Sequence, residues 1–410
     1  MDKYSNFIDE ELDQIKEMGL YRELKNISTP ALTNPIIGGN EYLNFCSNDY
    51  HGLAYHPKLV NYAAIAAKKW GIGSGGSRLI CGNMDVHNQL EQKIAKFKGS
   101  SSALLFSSGY LTNLGILATF GTYDSTIFSD RLNHASIIDG CRLSRAKIKI
   151  YDHLDADHLE RLIQADNSRK KLIVTEGVFS MDGDIAPLPD ICIIKEKYDA
   201  FLIVDDAHAT GILGHEGRGS GEYWGLTKKI NLQMGTFSKA FGTYGGFICV
   251  DHNIREYFIN KCRTFIYNTA MPPLITALTI KAIEIFQSSP EFLLKLKNNI
   301  KFFKEIMRNR GFEIESSTPI IPILVGESEK AVKISEELME RGIFISAIRP
   351  PTVPEGTARL RVSISSAHTL KQIKYCADSI SNLLIKHRIN NNNLNQKRNK
   401  NELYGLNGKG

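Results

Sequence analysis

Residues 201–208 read Phe-Leu-Ile-Val-Asp-Asp-Ala-His, and residues 235–242 read Gly-Thr-Phe-Ser-Lys-Ala-Phe-Gly. The first stretch is an apolar run that ends abruptly in acid, as a strand does when both its faces are covered and its carboxyl end opens on a polar crevice. The second is a glycine-bracketed loop holding Lys239, in a run from Asn231 to Val250 that carries no other charge. On either side, apolar runs of similar length recur at Ala103–Phe106, Thr126–Ser129, Ile148–Tyr151, Leu172–Thr175, Leu232–Met234 and Phe247–Val250. Helical periodicity separates several of them. Strand–helix alternation of this kind predicts an α/β fold with a large, mainly parallel seven-stranded sheet and crossover helices.

The rhythm changes beyond about residue 285. Phe312–Ile314, Ile320–Val325, Ile343–Ile348 and Arg359–Ile364 read as strands, and Ser328–Arg341 as an amphipathic helix closed by Gly342. A last helix is expected from Thr369 to Lys386. Together these predict a smaller α+β C-terminal domain. At the other end, Ile8, Leu12, Ile15, Leu20 and Leu24 fall at helical spacing and predict one amphipathic helix over 8–27, followed by a short strand at Glu41–Phe45. The expected organisation is an N-terminal segment 1–50, a large domain 51–285, a small domain 286–388 and a polar, Asn-rich tail 389–410 without fixed structure.

Composition excludes several classes. The chain has 410 residues and 42% hydrophobic content, enough for more than one buried core. Of its net +6, the stretch from Lys386 onward carries +5 (six Lys/Arg against Glu402), so the body is nearly neutral and offers no basic face for nucleic acid. Seven cysteines without C-x-x-C spacing read as reduced thiols of a cytoplasmic protein, with no disulfide framework and no metal site. The uncharged run 99–123 is interrupted by Ser107-Ser-Gly109, Thr112, Asn113 and Gly115. It reads as strand, glycine turn and helix, not as a membrane span.

The residues at the predicted strand ends suggest one chemistry. A lysine among small and hydroxyl residues can form a Schiff base, and a strand-end acid such as Asp205 can hold a proton on a pyridine nitrogen, which points to pyridoxal phosphate (PLP). His208 can reach the phenolic oxygen of such a ring. Ser107-Ser-Gly109-Tyr110 precedes a helix whose N-terminus can receive a phosphate, although an ordinary serine-capped turn explains the same residues. Thr236 and Ser238 offer hydroxyls to the same anion. His134, after another strand, can stack on the ring or be purely structural. Arg359 and Arg361 are two apart on a strand and so share a face, where one or both can meet a substrate carboxylate or simply form structural ion pairs. Arg22 and Asn48 are weaker candidates near the entry.

Asp205-Asp-Ala-His208, Gly235-Thr-Phe-Ser-Lys239, Gly73-Ser-Gly-Gly-Ser77 and Asn44-Phe-Cys-Ser-Asn48-Asp-Tyr together resemble the α-oxoamine synthases, PLP-dependent transferases of the aspartate aminotransferase type (fold type I). The resemblance covers roughly residues 8–385. It implies that Lys239 carries the cofactor, that Asp205, His208 and Ser180 contact its ring, that His134 stacks on it, and that Gly109, Tyr110 and Thr236 serve its phosphate. It implies Arg22 and Thr352 for the acyl substrate, Arg361 for the amino-acid carboxylate, and an acid near the cofactor at Glu176. Phe265–Pro273, Ile348–Pro354 and Gly356–Arg361 are similar to those family members that condense L-alanine with a pimeloyl thioester, of CoA or of acyl carrier protein, in biotin biosynthesis. The alternative within the family is a synthase using glycine and another acyl-CoA. The family's homodimers, with active sites at the interface, are implied as well.

Overall fold

The computed structural model describes residues 3–30 and 33–389. The expected polar tail lies outside the described residues from 390 onward. The chain divides into two compact units, one of Asn48–Asn298 with Ser365–Ala367, the other of Asn299–Ile364 with the described residues before Asn48 and after Ala367.

In the larger unit, strands β1 (Ser102–Phe106), β2 (Ser125–Asp130), β3 (Lys147–Tyr151), β4 (Lys170–Glu176), β5 (Phe201–Asp205), β6 (Leu232–Thr236) and β7 (Gly246–Val250) form a seven-stranded sheet in the order β1-β7-β6-β5-β4-β2-β3. All seven apolar runs are strands. The pairs from β6 through β5, β4 and β2 to β3 are parallel, whereas β7 runs antiparallel to both β6 and β1. Both faces are covered, because alternate residues of one strand enter different clusters. Ala103, Leu105, Phe247 and Cys249 pack into one, Leu104, Phe106, Ile248 and Val250 into another. That is why the runs are apolar throughout and not alternating. The uncharged run 99–123 is β1, a turn and the helix Gly109–Phe120, and among the described residues no helix is long and apolar enough to cross a membrane.

In the smaller unit, β8 (Ile320–Gly326), β9 (Ser346–Ile348) and β10 (Ala358–Ser363) form an antiparallel sheet in the order β8-β10-β9. Helix Leu370–Lys386 begins at a capping box in which Thr369 accepts from the Gln372 N–H and Gln372 answers the Thr369 N–H.

Four expectations from the sequence need correction. The N-terminal helix spans Lys3–Glu17, not 8–27. Gly19 sits at φ 65°, its N–H bonds Lys16 O, and the Leu20 N–H bonds Ile15 O, which is a Schellman end that closes the helix although the apolar spacing continues past it. Phe312–Ile314 buries Phe312 and Ile314 without forming a strand. Ile343–Ile348 is two strands, since Ile343–Phe344 pairs in parallel with Leu43–Asn44 while β9 pairs with β10. Glu41–Phe45 is likewise divided, Asn40–Glu41 closing a hairpin on Ile36–Ile37.

Candidate active site

The parallel strands of the larger unit end at one edge of the sheet, where Asp130, Glu176, Asp205 and Thr236 are the last residues of β2, β4, β5 and β6. The antiparallel β7 does not disturb this, because Gly246 at its start pairs with Phe106 on one side and Thr236 on the other. The carboxyl end of β1 therefore lies at the same edge. In open α/β sheets this edge is where ligands bind.

Two features expected to hold a phosphate meet here. Ser108 caps helix Gly109–Phe120 by accepting from the Leu111 N–H at 3.2 Å, so the serine-capped turn exists. Gly109 and Tyr110 supply first-turn N–H groups that have no acceptor within the helix. A Cβ on Gly109 would lie 3.5 Å from Thr236 Cβ and 3.7 Å from its Oγ1. The helix start thus lies close to the Thr236 hydroxyl of β6, with Met234 Cε 3.2 Å from the same point. Thr236 Oγ1 donates to Gly245 O at 2.7 Å and stands 2.7 Å from Ser238 Oγ. The Tyr110 hydroxyl donates to Asp139.

At the ring end, Asp205 is buried; its Oδ1 accepts the Ala207 N–H at 2.8 Å and its Oδ2 accepts from Asn113 Nδ2 at 2.7 Å. His134 caps helix Ala135–Leu143 directly after β2. Burial lowers its affinity for a proton, Asp205 opposes that, and the charge of Lys239 reinforces it. Glu176 pairs in register with Asp205 and is almost wholly enclosed, with Oε2 accepting the Ser180 N–H at 3.2 Å. Burial, and then the neighbouring Asp205 charge, push Glu176 well above the carboxylate range, while Lys239 pulls it down. Lys239 is therefore within electrostatic reach of both His134 and Glu176. Anion donors, an enclosed carboxylate, an imidazole and an amine at one sheet edge fit PLP.

His208 is buried, with Nδ1 2.8 Å from the Tyr50 hydroxyl, which also reaches Asn48 Oδ1 at 3.2 Å. Ser180 follows β4 and is 6% exposed. These candidates all belong to the larger unit.

Arg22, Thr352 and Arg361 belong to the smaller unit. Arg22 and Thr352 line one groove of ≈ 580 Å³ whose wall includes Val332, Met339, Phe344 and Ile348. Arg359 and Arg361 are both buried on β10; Arg359 Nε donates to Thr357 O at 3.0 Å, and Arg361 Nη1 to Ser363 Oγ at 2.9 Å.

Residues 40–380 match the family model of aminotransferase class I and II. An 8-amino-7-oxononanoate synthase of Thermoanaerobacter pseudethanolicus is 45% identical over 371 residues, 90% of this chain and 94% of that protein. The chain belongs to the α-oxoamine synthases of the aminotransferase class I and II family. Among solved structures, a variant of serine palmitoyltransferase from S. paucimobilis with bound PLP superposes at TM-score 0.88 with 30% identity, covering 94% of this chain and 99% of that one. An 8-amino-7-oxononanoate synthase from Francisella tularensis gives TM-score 0.74 with 32% identity, over 85% and 99% of the two chains.

In this α-oxoamine synthase the structure adds residues that motif reading passed over. Tyr50 contacts His208, Asn113 contacts Asp205, Ser136 contacts His134, and Lys98 contacts Asp206 at 2.7 Å. One of them left a signal, and so did the partner of another. Asn113 lies amid an apolar helix, and Asp206 is a second acid at a buried strand end; each is costly to enclose without a partner.

Proposed function

We propose that this enzyme condenses L-alanine with a pimeloyl thioester, releasing the thiol and carbon dioxide, to give 8-amino-7-oxononanoate in biotin biosynthesis, with PLP as its cofactor. The observation that carries the reading is the convergence, at one sheet edge, of the Gly109 helix start and Thr236 with Asp205, His134, Glu176 and Lys239. The extended similarity to proteins named 8-amino-7-oxononanoate synthase supports the choice of substrates.

PLP, when bound, supplies an electron sink for the pair left at Cα after a proton or carbon dioxide departs. The remaining chemistry belongs to the chain. Lys239 would hold the cofactor at rest, and its free, neutral amine would take the Cα proton of the substrate and later return one. Asp205 would keep the ring nitrogen protonated, and His208 and Ser180 would orient the ring. Gly109, Tyr110 and Thr236 would hold the phosphate. Arg361 fixes the alanine carboxylate, so that the bond to be broken keeps one orientation. His134 would stack on the ring and donate to the thioester oxygen as negative charge develops there. Arg22 and Thr352, beside the apolar wall of their groove, receive the acyl chain and its terminal carboxylate, with Asn48 as a further substrate contact.

The homodimer with interface sites, a cytoplasmic location and either CoA or an acyl carrier protein as acyl carrier belong to the same proposal. The seven free thiols support the location. Tyr4, Phe7 and Ile8, which helix Lys3–Glu17 leaves exposed, support a partner chain.

Thiol release from pimeloyl-CoA, measured with alanine and with glycine, tests the substrates. Turnover with alanine is expected. Turnover with glycine and a short acyl-CoA, and none with alanine and pimeloyl-CoA, would replace this reading with the glycine-using alternative.

A further inference from the structure

Four side chains of the larger unit form a chain of hydrogen bonds whose directions follow from chemistry. Asn113 Nδ2 lies 2.7 Å from Asp205 Oδ2. A carboxylate only accepts, so the amide donates. The same nitrogen lies 2.9 Å from Ser136 Oγ and gives its second hydrogen there. The hydroxyl of Ser136 has one proton, and its remaining partner is His134 Nδ1, at 2.8 Å. The backbone N–H of Ser136 also donates to that nitrogen, at 3.2 Å. A ring nitrogen receiving two donors carries no proton of its own, so the neutral imidazole holds its hydrogen on Nε2.

We infer that Ser136 and Asn113 are positioning residues that lock His134 in the Nε2–H tautomer and bind that tautomer to the carboxylate of Asp205. The carboxylate sets the amide, the amide sets the hydroxyl, and the hydroxyl sets the imidazole. His134 therefore presents a donor from Nε2. On the proposed function, which this inference deepens and on which its catalytic meaning rests, that donor is what a thioester oxygen needs as it gains charge. The opposite tautomer would present a lone pair to the same oxygen and repel it.

The surroundings of His134 favour the neutral ring. Burial opposes its protonation first, with Asp205 and Asp139 pulling the other way and Lys239 adding to the burial effect. Glu176 stands close by on β4, its backbone N–H held at 3.1 Å by Asn133, the residue before His134. Protonating Nδ1 would also require the Ser136 hydroxyl proton to turn away and the Ser136 backbone N–H to lose its acceptor.

The test is two-bond 15N–1H correlation spectroscopy of protein labelled with 15N-histidine, with and without PLP, the His134 signals being those missing from His134→Gln. A single Nε2–H pattern is expected at neutral pH. Ser136→Ala should raise the His134 titration midpoint by roughly 0.5–1 pH unit, the worth of one buried hydrogen bond. Asn113→Leu should shift it the same way by less, and Ser136→Thr, which keeps the hydroxyl, should leave it in place. An Nδ1–H pattern in the wild-type protein overturns the inference, as does a midpoint that Ser136→Ala leaves unmoved. The wild-type spectrum decides the tautomer even if a variant does not fold. No substrate enters this experiment, so a locked tautomer in a protein that does not turn over pimeloyl thioesters leaves the wiring standing and removes only the proposed substrate.

Discussion

Lys98→Met removes one half of a fully enclosed ion pair. The Lys98 and Asp206 side chains both have 0% exposure, and Nζ lies 2.7 Å from Oδ2. The ammonium also donates to Arg218 O at 2.5 Å and Thr210 Oγ1 at 3.3 Å. Methionine nearly matches the volume, so packing changes little and the electrostatic loss dominates. Taking one partner from a buried pair costs about 3–5 kcal/mol, because the remaining charge has no counter-ion and little water. Asp206 keeps Ser220 Oγ as a donor at 2.5 Å, which holds the loss near the lower end, about 3 kcal/mol. For a unit of this size each kcal/mol moves the melting temperature by roughly 2–4 °C, so a drop of roughly 6–12 °C is expected. Both tryptophans, Trp70 and Trp224, lie in this unit, so intrinsic fluorescence during heating reports on it. Lys98→Met/Asp206→Asn, which buries no lone charge, should melt above Lys98→Met alone. A single variant that melts within 1 °C of the wild type, or a double variant that melts lower still, would show that the pair is not the constraint described.

Three further outcomes follow from the structure. Lys239→Ala should lower turnover by at least about 10²-fold, the usual worth of a positioned base, and should lose the visible absorbance that survives gel filtration in the wild type. Gly242→Ala should destabilise by more than about 1–2 kcal/mol and weaken PLP retention, measured by absorbance. Its φ is 62°, and a Cβ there would stand 2.3 Å from Ala54 N. His51 is buried with Nε2 2.7 Å from Gly211 O, and burial lowers its pKa from 6.5 to about 4. The unfolded chain therefore binds the proton first. The contribution of neutral His51 is fully present above about pH 6.5 and is lost as pH falls toward 4, so denaturant midpoints should decline across that window and decline less in His51→Gln.

Much of this molecule was legible before any coordinates. The seven strands were readable because a sheet covered on both faces needs unbroken apolar runs, and the strand-end acids stood out against them. Gly19 stopped a helix whose apolar spacing ran on, a case in which backbone conformation overrides periodicity. Phe312 and Ile314 are buried like strand residues and yet belong to no strand, the Phe312 N–H turning back to Met307 O. The candidates Gly109, His134, Ser180, Asp205, His208, Thr236 and Lys239 stand out in the sequence because each sits at a strand end or in the segment just after it. Their supports do not. Asn113 is 92 residues from Asp205, and Lys98 is 108 from Asp206, so nothing in local spacing connects them. A buried amide or acid announces that it needs a partner, but only the fold names the partner.

The antiparallel strand β7 bears on how firmly Lys239 is tethered. Because β7 returns directly beside β6, residues 237–245 form a short closed loop, with Phe237 N–H on Gly245 O at 2.9 Å and Thr243 N–H on Phe237 O at 3.0 Å. The backbone carrying the amine is anchored at both ends, so only the lysine side chain has to swing away and come back. Groups held this way act as though present at concentrations that no dissolved reagent reaches. A small amine added to Lys239→Ala would therefore have to supply from bulk solvent what the wild-type chain holds permanently in place. Chemical rescue of that variant should be shallow, rising in proportion to amine concentration without saturating.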